Sequence, residues 1–277
     1  MERIRNPQKE QMGDESMVRN LALQAEAIWP QELPLFARYA LCGALRIVDV
    51  GCGTGEITRR LAAHYPLSSV LGLDVLENSL ALARRHSQSL AARVDYRVGD
   101  AFALALADAS VDLLVCRHMS QSVPDFPHIL AEFKRVLKPG GWLHLLSEDY
   151  GMLHMPASAG FDPDLFWLQL VIAYLDGTGC DGRIGRHSPM LLERAGYCDI
   201  AMDYLTVDTL RVPRATFAGI IAAWRDGYAQ VLAQASGRSV EAVIADMNRM
   251  IHAIETPPYY AVWHVPVVSA RRPLQAP

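Results

Sequence analysis

A doubly wound α/β sheet is the fold this sequence predicts, on three observations. Leu45-Arg46-Ile47-Val48-Asp49-Val50 is a short β-branched apolar run, as expected of a strand buried on both faces. Glycines follow at once, Gly51, Gly53 and Gly55, and open an amphipathic segment, Glu56 to His64, with Ile57, Leu61 and Ala62 on one side. Val70-Leu71-Gly72-Leu73 is a second buried run and stops at Asp74. Strand, glycine turn, helix, strand makes one right-handed βαβ unit.

Each part has a physical reason. Glycines turn the backbone through positive φ and let a ligand approach without a Cβ in the way. The following helix presents free N–H groups and a positive dipole end, which suits a carboxylate or phosphate. Asp74, at the tip of the next strand, can accept both hydroxyls of a ribose. The dinucleotide fingerprint is G-x-G-x-x-G. Here the spacing is G-x-G-x-G, Glu56 stands where a third glycine would be, and Asp49 adds a carboxylate before the turn. A pyrophosphate would be repelled by these acids, whereas a ligand carrying an ammonium and a sulfonium would be attracted.

Asp49-Val50-Gly51-Cys52-Gly53-Thr54-Gly55 resembles motif I of the class I S-adenosylmethionine-dependent methyltransferases. Asp74 matches the acid closing their second strand, Gly99-Asp100-Ala101 the segment that caps the adenine, and Lys138-Pro139-Gly140-Gly141 the turn before their fifth strand. The four motifs stand in order over about Leu45 to Asp149 and are closest in flavour to small-molecule enzymes related to quinone biosynthesis. The resemblance implies a Rossmann-like sheet of seven strands, mostly parallel with an antiparallel last strand, and S-adenosyl-L-methionine as cofactor. It implies cofactor contacts from Asp49, Gly51, Cys52, Gly53, Gly55, Asp74, Val75, Asp100, Ala101, Arg117, His118 and Gln121, and an N-terminal helix over the pocket.

The totals narrow the function classes. The chain has 277 residues, half of them apolar, and a net charge of −4. That allows one large core with extra elements attached. No basic cluster interleaved with aromatics is present, which argues against a nucleic-acid partner. The five cysteines include no C-x-x-C pair, so neither zinc nor a disulfide framework is indicated and no metal is expected; reduced, cytoplasmic thiols are the reading. The N-terminus lacks the apolar stretch of a signal peptide, and no run is long enough to span a membrane.

Taken in order, residues 1–44 read as a polar tail to Ser16 followed by helices broken at Pro30 and Pro34. Residues 45–150 read as the cofactor-binding core. Its helix Asn78–Leu90, strand Val94–Val98, strand Val111–Cys116, helix Phe126–Leu137 and strand Trp142–Leu146 continue the alternation. Residues 151–195 form a helical insert, with helices expected over Asp164–Leu175 and Ser188–Ala195. Residues 196–277 carry two last strands, Asp199–Val207 and Tyr260–Ser269, separated by a helical lid over about 213–256. A dimer contact is the other use for that pair of helices, so a homodimer stays open.

Ligands bind beyond the carboxyl ends of strands at the switch in strand order, which strand four flanks. That places Arg117, His118, Met119 and Gln121 where acceptor meets cofactor. Methyl transfer from a sulfonium is a direct displacement, and alignment supplies most of the acceleration. A base is needed only for an acceptor protonated near neutral pH. His118 is the leading candidate, followed by Glu148, Asp149 and Tyr150 beyond strand five. His154 and His187 could be brought over the site by the insert, Arg183 and Arg186 could grip an acceptor carboxylate, His144 is structural and His264 at best lines a wall. Trp167, Tyr174, Trp224 and Tyr228, with Phe161, would form an aromatic acceptor pocket.

The sequence thus predicts transfer of a methyl group to an O, N or acidic C of a small, aromatic or heterocyclic metabolite. An NAD(P)-dependent oxidoreductase and a non-catalytic S-adenosylmethionine-binding module are the alternatives.

Overall fold

The computed structural model describes residues 5–158 and 160–274. One sheet holds β1 Arg46–Val50, β2 Ser69–Asp74, β3 Val94–Val98, β4 Val111–Arg117, β5 Leu137–Leu146, β6 Leu153–His154, β7 Cys198–Asp208 and β8 Val262–Arg271. Strands β3, β2, β1, β4 and β5 pair in that order, all parallel. β8 runs antiparallel to β5, and β7 pairs antiparallel with β8. β6 is the strand beyond the expected seven: its two residues also pair with β8, at Trp263 and Val262. The order reverses between β1 and β4, so Val50 and Arg117 end side by side at the switch point.

Helices flank the sheet: α1 Lys9–Met12, α2 Glu15–Glu32, α3 Glu56–His64, α4 Glu77–His86, α5 Phe126–Val136, α6 Pro163–Phe166, α7 Ala173–Gly177, α8 Ile184–Arg194, α9 Arg214–Ser236 and α10 Val240–Glu255. On one face Ile57, Leu61 and Leu80 pack on Ile47, Val70 and Leu113. On the other Ile129, Leu130, Phe133 and Leu192 pack on Val48, Leu114 and Leu143. Both faces of the parallel strands are therefore covered, which is why those strands read as apolar runs. A third apolar cluster joins α2, α9 and α10 through Ile28, Ile220, Ile221, Met247 and Ile254, with Trp263 of β8 beneath. Among the described residues no helix is long and apolar enough to cross a membrane.

Several boundaries differ from the sequence reading, for local reasons. Pro30 does not break α2, which runs on through it to Glu32. β5 begins at Leu137, so Lys138-Pro139-Gly140-Gly141 lies within the strand as an irregularity rather than before it. The expected helix over Asp164–Leu175 is a helical run from Pro163 to Gly177 whose middle, Trp167–Ile172, is π-helical. α8 starts at Ile184, four residues early, and carries Pro189 inside it. The segment expected to be a loose tail is ordered from Arg5 onward; residues 1–4 of that expectation lie outside the described residues. Asp14 caps α2, its carboxylate accepting the Ser16 N–H at 2.8 Å.

Candidate active site

The glycine turn forms the floor of an open cleft. The Gly51 N–H donates to the Leu73 carbonyl at 2.8 Å, which holds the turn against the end of β2. Gly51 and Gly53 have φ of 74° and 52°, conformations that side chains rarely adopt. A Cβ on Gly53 would come within 2.6 Å of Leu21 Cδ1, and one on Gly51 within 3.1 Å of Met119 Cβ. Asp74 accepts the Gly53 N–H at 2.8 Å and the Leu76 N–H at 2.9 Å. Burial raises its pKa, although these N–H groups and that of Val75 oppose the shift. The cleft, about 270 Å³, is walled by Gly51, Gly53, Asp74, Val75, Asp100, Ala101, Arg117 and His118, all candidates from the sequence.

Four other cofactor candidates lie elsewhere. Asp49 is 2% exposed and accepts the Thr58 hydroxyl at 2.6 Å beneath the turn. Burial raises its pKa to about 6. Cys52 packs under β2, near the place a Cβ on Gly72 would take. Gly55, φ 75°, faces the Tyr96 hydroxyl. Gln121 lines a second, inner cavity of about 50 Å³.

That inner cavity lies beside the cleft, and His118, Ser122, Leu21 and Met12 line both. His118 sits at the junction with φ of 51°, its N–H held by the Leu146 carbonyl at 2.9 Å. Its Nδ1 is 2.6 Å from Glu148 Oε1. A carboxylate only accepts, so Nδ1 donates and Nε2 is left with the lone pair in the neutral ring. Nε2 is buried and has no hydrogen-bond partner among the described residues. β4 thus delivers the imidazole and the end of β5 delivers the carboxylate that orients it. The two leading base candidates are one dyad.

Tyr150 is packed among aromatic rings. Its ring stacks on Trp167 at 5.8 Å and meets Trp224 edge-on at 5.9 Å. Burial and the nearby Glu148 push its phenol well above the usual range. Trp167, Trp224 and Tyr228 line the inner cavity with it; Tyr174 and His187 do not. His187 is bonded to Asp181 at 2.6 Å on the surface of α8. Arg186 is spent on the buried Asp149, its Nη2 donating to Oδ1 at 2.8 Å. His154 is exposed beside Asp164, and His264 bonds Thr206 outside both cavities.

Arg117 of the cleft wall is held from behind. Its guanidinium meets Glu32 of α2 at 2.8 and 2.9 Å. Glu32 also accepts from His144 Nε2 at 2.9 Å, and His144 Nδ1 accepts the Tyr39 hydroxyl at 2.6 Å. Burial alone would raise the Glu32 pKa; Arg117 and His144 outweigh it and hold the acid below its ordinary value.

The N-terminal segment closes the site. Arg5 pairs with Asp100 at 2.7 Å and lies over the Phe102 ring. Gln8 is 2% exposed, and the Tyr228 hydroxyl of α9 donates to its Oε1 at 2.9 Å. The sequence reading missed Gln8, Asn20 and Gln24, which all line the inner cavity. The signal was present in α2: Asn20 and Gln24 share a helix face with Met17, Leu21 and Ile28, so polar amides interrupt an apolar stripe.

Comparison with known proteins fits this geometry. Residues 48–145 match the family model described as a methyltransferase domain. A ubiquinone biosynthesis O-methyltransferase of Leptothrix cholodnii is 39% identical over 103 residues, 36% of this chain and 43% of that protein. A ubiquinone/menaquinone biosynthesis C-methyltransferase of Dinoroseobacter shibae is 39% identical over 105 residues, 37% and 42% of the two chains. The matches therefore span less than half of these relatives. Among solved structures, Haemonchus contortus phosphoethanolamine N-methyltransferase 2 with S-adenosyl-L-methionine aligns with 95% of this chain and 60% of its own, at a TM-score of 0.58 and 18% identity. The [4+2]-cyclase SpnF aligns with 94% of this chain and 82% of its own, at 0.57 and 22%. At these identities the structures speak for the fold alone. Over residues 48–145 the chain is therefore similar to a methyltransferase domain, and over about that stretch it resembles methyltransferases of ubiquinone and menaquinone biosynthesis.

Proposed function

We propose that this protein transfers the methyl group of S-adenosylmethionine to a small-molecule acceptor held in the inner cavity. The observation that carries the reading is the His118–Glu148 dyad, whose free Nε2 stands at the junction of cleft and cavity. The residues present fit the cofactor. Gly51 and Gly53 leave a floor without side chains, Asp74 offers carboxylate lone pairs to ribose hydroxyls, and Arg117 offers a cation to a carboxylate. When bound, the cofactor supplies an electrophilic methyl on a sulfonium.

The chain's own residues do the rest. Glu148 holds the His118 ring in one tautomer and stabilises the imidazolium once Nε2 has taken a proton from the acceptor. Tyr150, Trp167 and Trp224 exclude water and present ring faces to a developing positive charge. Five free thiols, three of them buried, suit action in a reducing compartment.

The decisive test is calorimetry with S-adenosylmethionine and NADH on the native protein and on Asp74→Ala. Binding of the sulfonium nucleoside alone, weakened about 10- to 100-fold by the substitution, is expected for the loss of bonds to a charged acceptor. Unchanged affinity in Asp74→Ala, or binding of NADH instead, overturns the reading. Detection of S-adenosylhomocysteine with an acceptor then separates an enzyme from a binding module.

A further inference from the structure

The inner cavity is lined by buried polar atoms that have no hydrogen-bond partner among the described residues. Acceptors among them are Glu148 Oε2, Gln121 Oε1, Gln24 Oε1 and Asn20 Oδ1; donors are Gln8 Nε2 and Trp167 Nε1. Every one of these residues is at least nine-tenths buried. A buried polar group without a hydrogen bond costs about 1–3 kcal/mol, so such a cluster marks where a ligand's groups belong. Turning over the amides of Asn20 and Gln24 would exchange acceptor for donor. Glu148 and Gln121 admit no exchange: a carboxylate only accepts, and Gln121 Nε2 is committed to the His118 carbonyl at 2.7 Å.

Charge points the same way. Glu148 is 1% exposed, and among the described residues no Lys or Arg lines this cavity; Arg117 lines the cleft and is paired with Glu32. An anionic acceptor would meet a buried carboxylate with no cation to answer it. The rings of Tyr150, Trp167 and Trp224 line the same cavity, and aromatic rings attract cations.

Resting on the proposed function, we infer that the acceptor is a compact primary amine, bound as its ammonium, and not a carboxylate, phosphate or simple alcohol. One N–H donates to Glu148 Oε2, one to Gln121 Oε1, and the third faces His118 Nε2, where an alcohol has one donor and a carboxylate none. The ammonium then gives a proton to His118 Nε2. The nitrogen lone pair forms the new C–N bond as the methyl's C–S bond breaks, its electrons staying on sulfur. The products are a methylammonium, a neutral thioether and an imidazolium that returns its proton to water.

The test is binding of n-butylamine, n-butanol and butyrate, followed by ligand-observed NMR, with and without S-adenosylhomocysteine. The expected order is amine tightest, at least tenfold over alcohol, and butyrate undetectable. Glu148→Gln should cut the amine-over-alcohol preference about tenfold, and Gln121→Met should lower amine affinity in a protein whose dyad is intact. Butyrate binding as well as the amine, or a preference that neither substitution changes, overturns the inference. If S-adenosylhomocysteine fails to bind but the amine preference stands, the proposed function falls and this inference survives; cofactor binding without amine preference gives the reverse.

Discussion

The cleft and the inner cavity share His118, yet they are built in opposite ways. The cleft floor comes from one stretch, β1 to β2, and its shape is set by backbone: glycine φ angles and N–H groups bonded to the Leu73 carbonyl and to Asp74. The inner cavity is assembled from α2, the ends of β4 and β5, the π-helical turn, α9 and α10, and its shape is set by side chains. A backbone site accommodates one kind of ligand and resists change. A side-chain site can be altered one residue at a time while the cleft stays as it is. Substitutions in each region should therefore fail in different ways.

The largest effect is expected at the junction. His118→Asn keeps a residue that tolerates positive φ but removes the base. Turnover should fall about 10²- to 10⁴-fold with cofactor affinity nearly unchanged, as steady-state rates and calorimetry would show. A fall of less than fivefold would mean that alignment alone drives the reaction. Gly55→Ala probes the backbone site instead. Its Cβ would lie 2.3 Å from Tyr96 Oη and 3.0 Å from Ala83 Cβ, at φ 75°. A loss of roughly 3 kcal/mol in urea unfolding is expected, from left-handed strain and overpacking together. Wild-type stability in this variant would contradict the tight packing of the turn on β3 and α4.

Asp49 links the turn to pH. Its folded pKa, raised by burial to about 6, exceeds the unfolded value, so the native state binds more protons between about pH 4 and 6. Stability from this group is therefore present below about pH 4 and is lost as pH rises through 6. Asp49→Asn should flatten that stretch of the stability profile and raise stability at pH 7 by on the order of 2 kcal/mol, measured by urea midpoints. An unchanged slope would show that Arg117 and Thr58 already compensate the charge.

The same contrast explains what the sequence made legible. Asp74, Asp100 and the glycines of the cleft are close in sequence to the elements that place them, so short-range patterns located them. His118 and Glu148 were separate candidates because their 30-residue separation hides the hydrogen bond that joins them. Asn20 and Gln24 went unread because His118, Glu148 and Trp224, which line the cavity with them, stand more than 90 residues away in the chain. The π-helical turn was invisible because α and π spacing differ by less than one residue per turn over a six-residue span. Arg186 looked free for an acceptor only because Asp149, its buried partner, is 37 residues distant.

The smallest effect tests the seam between the two regions. Tyr228 of α9 donates to Gln8 Oε1, and α1, which follows Gln8, contributes Met12 to both cavities. Tyr228→Phe removes that donor and leaves the Gln8 side chain buried without any partner, a loss of about 1 kcal/mol. The cost falls on the closed position of the N-terminal segment, not on the dyad or the glycine turn. Affinity for S-adenosylhomocysteine and the KM of the acceptor should therefore weaken together, about three- to fivefold, with kcat preserved. A change confined to the acceptor would place Tyr228 in the cavity wall alone and separate the two regions. An equal weakening of both would show that one polar contact closes the backbone site and the side-chain site as a unit.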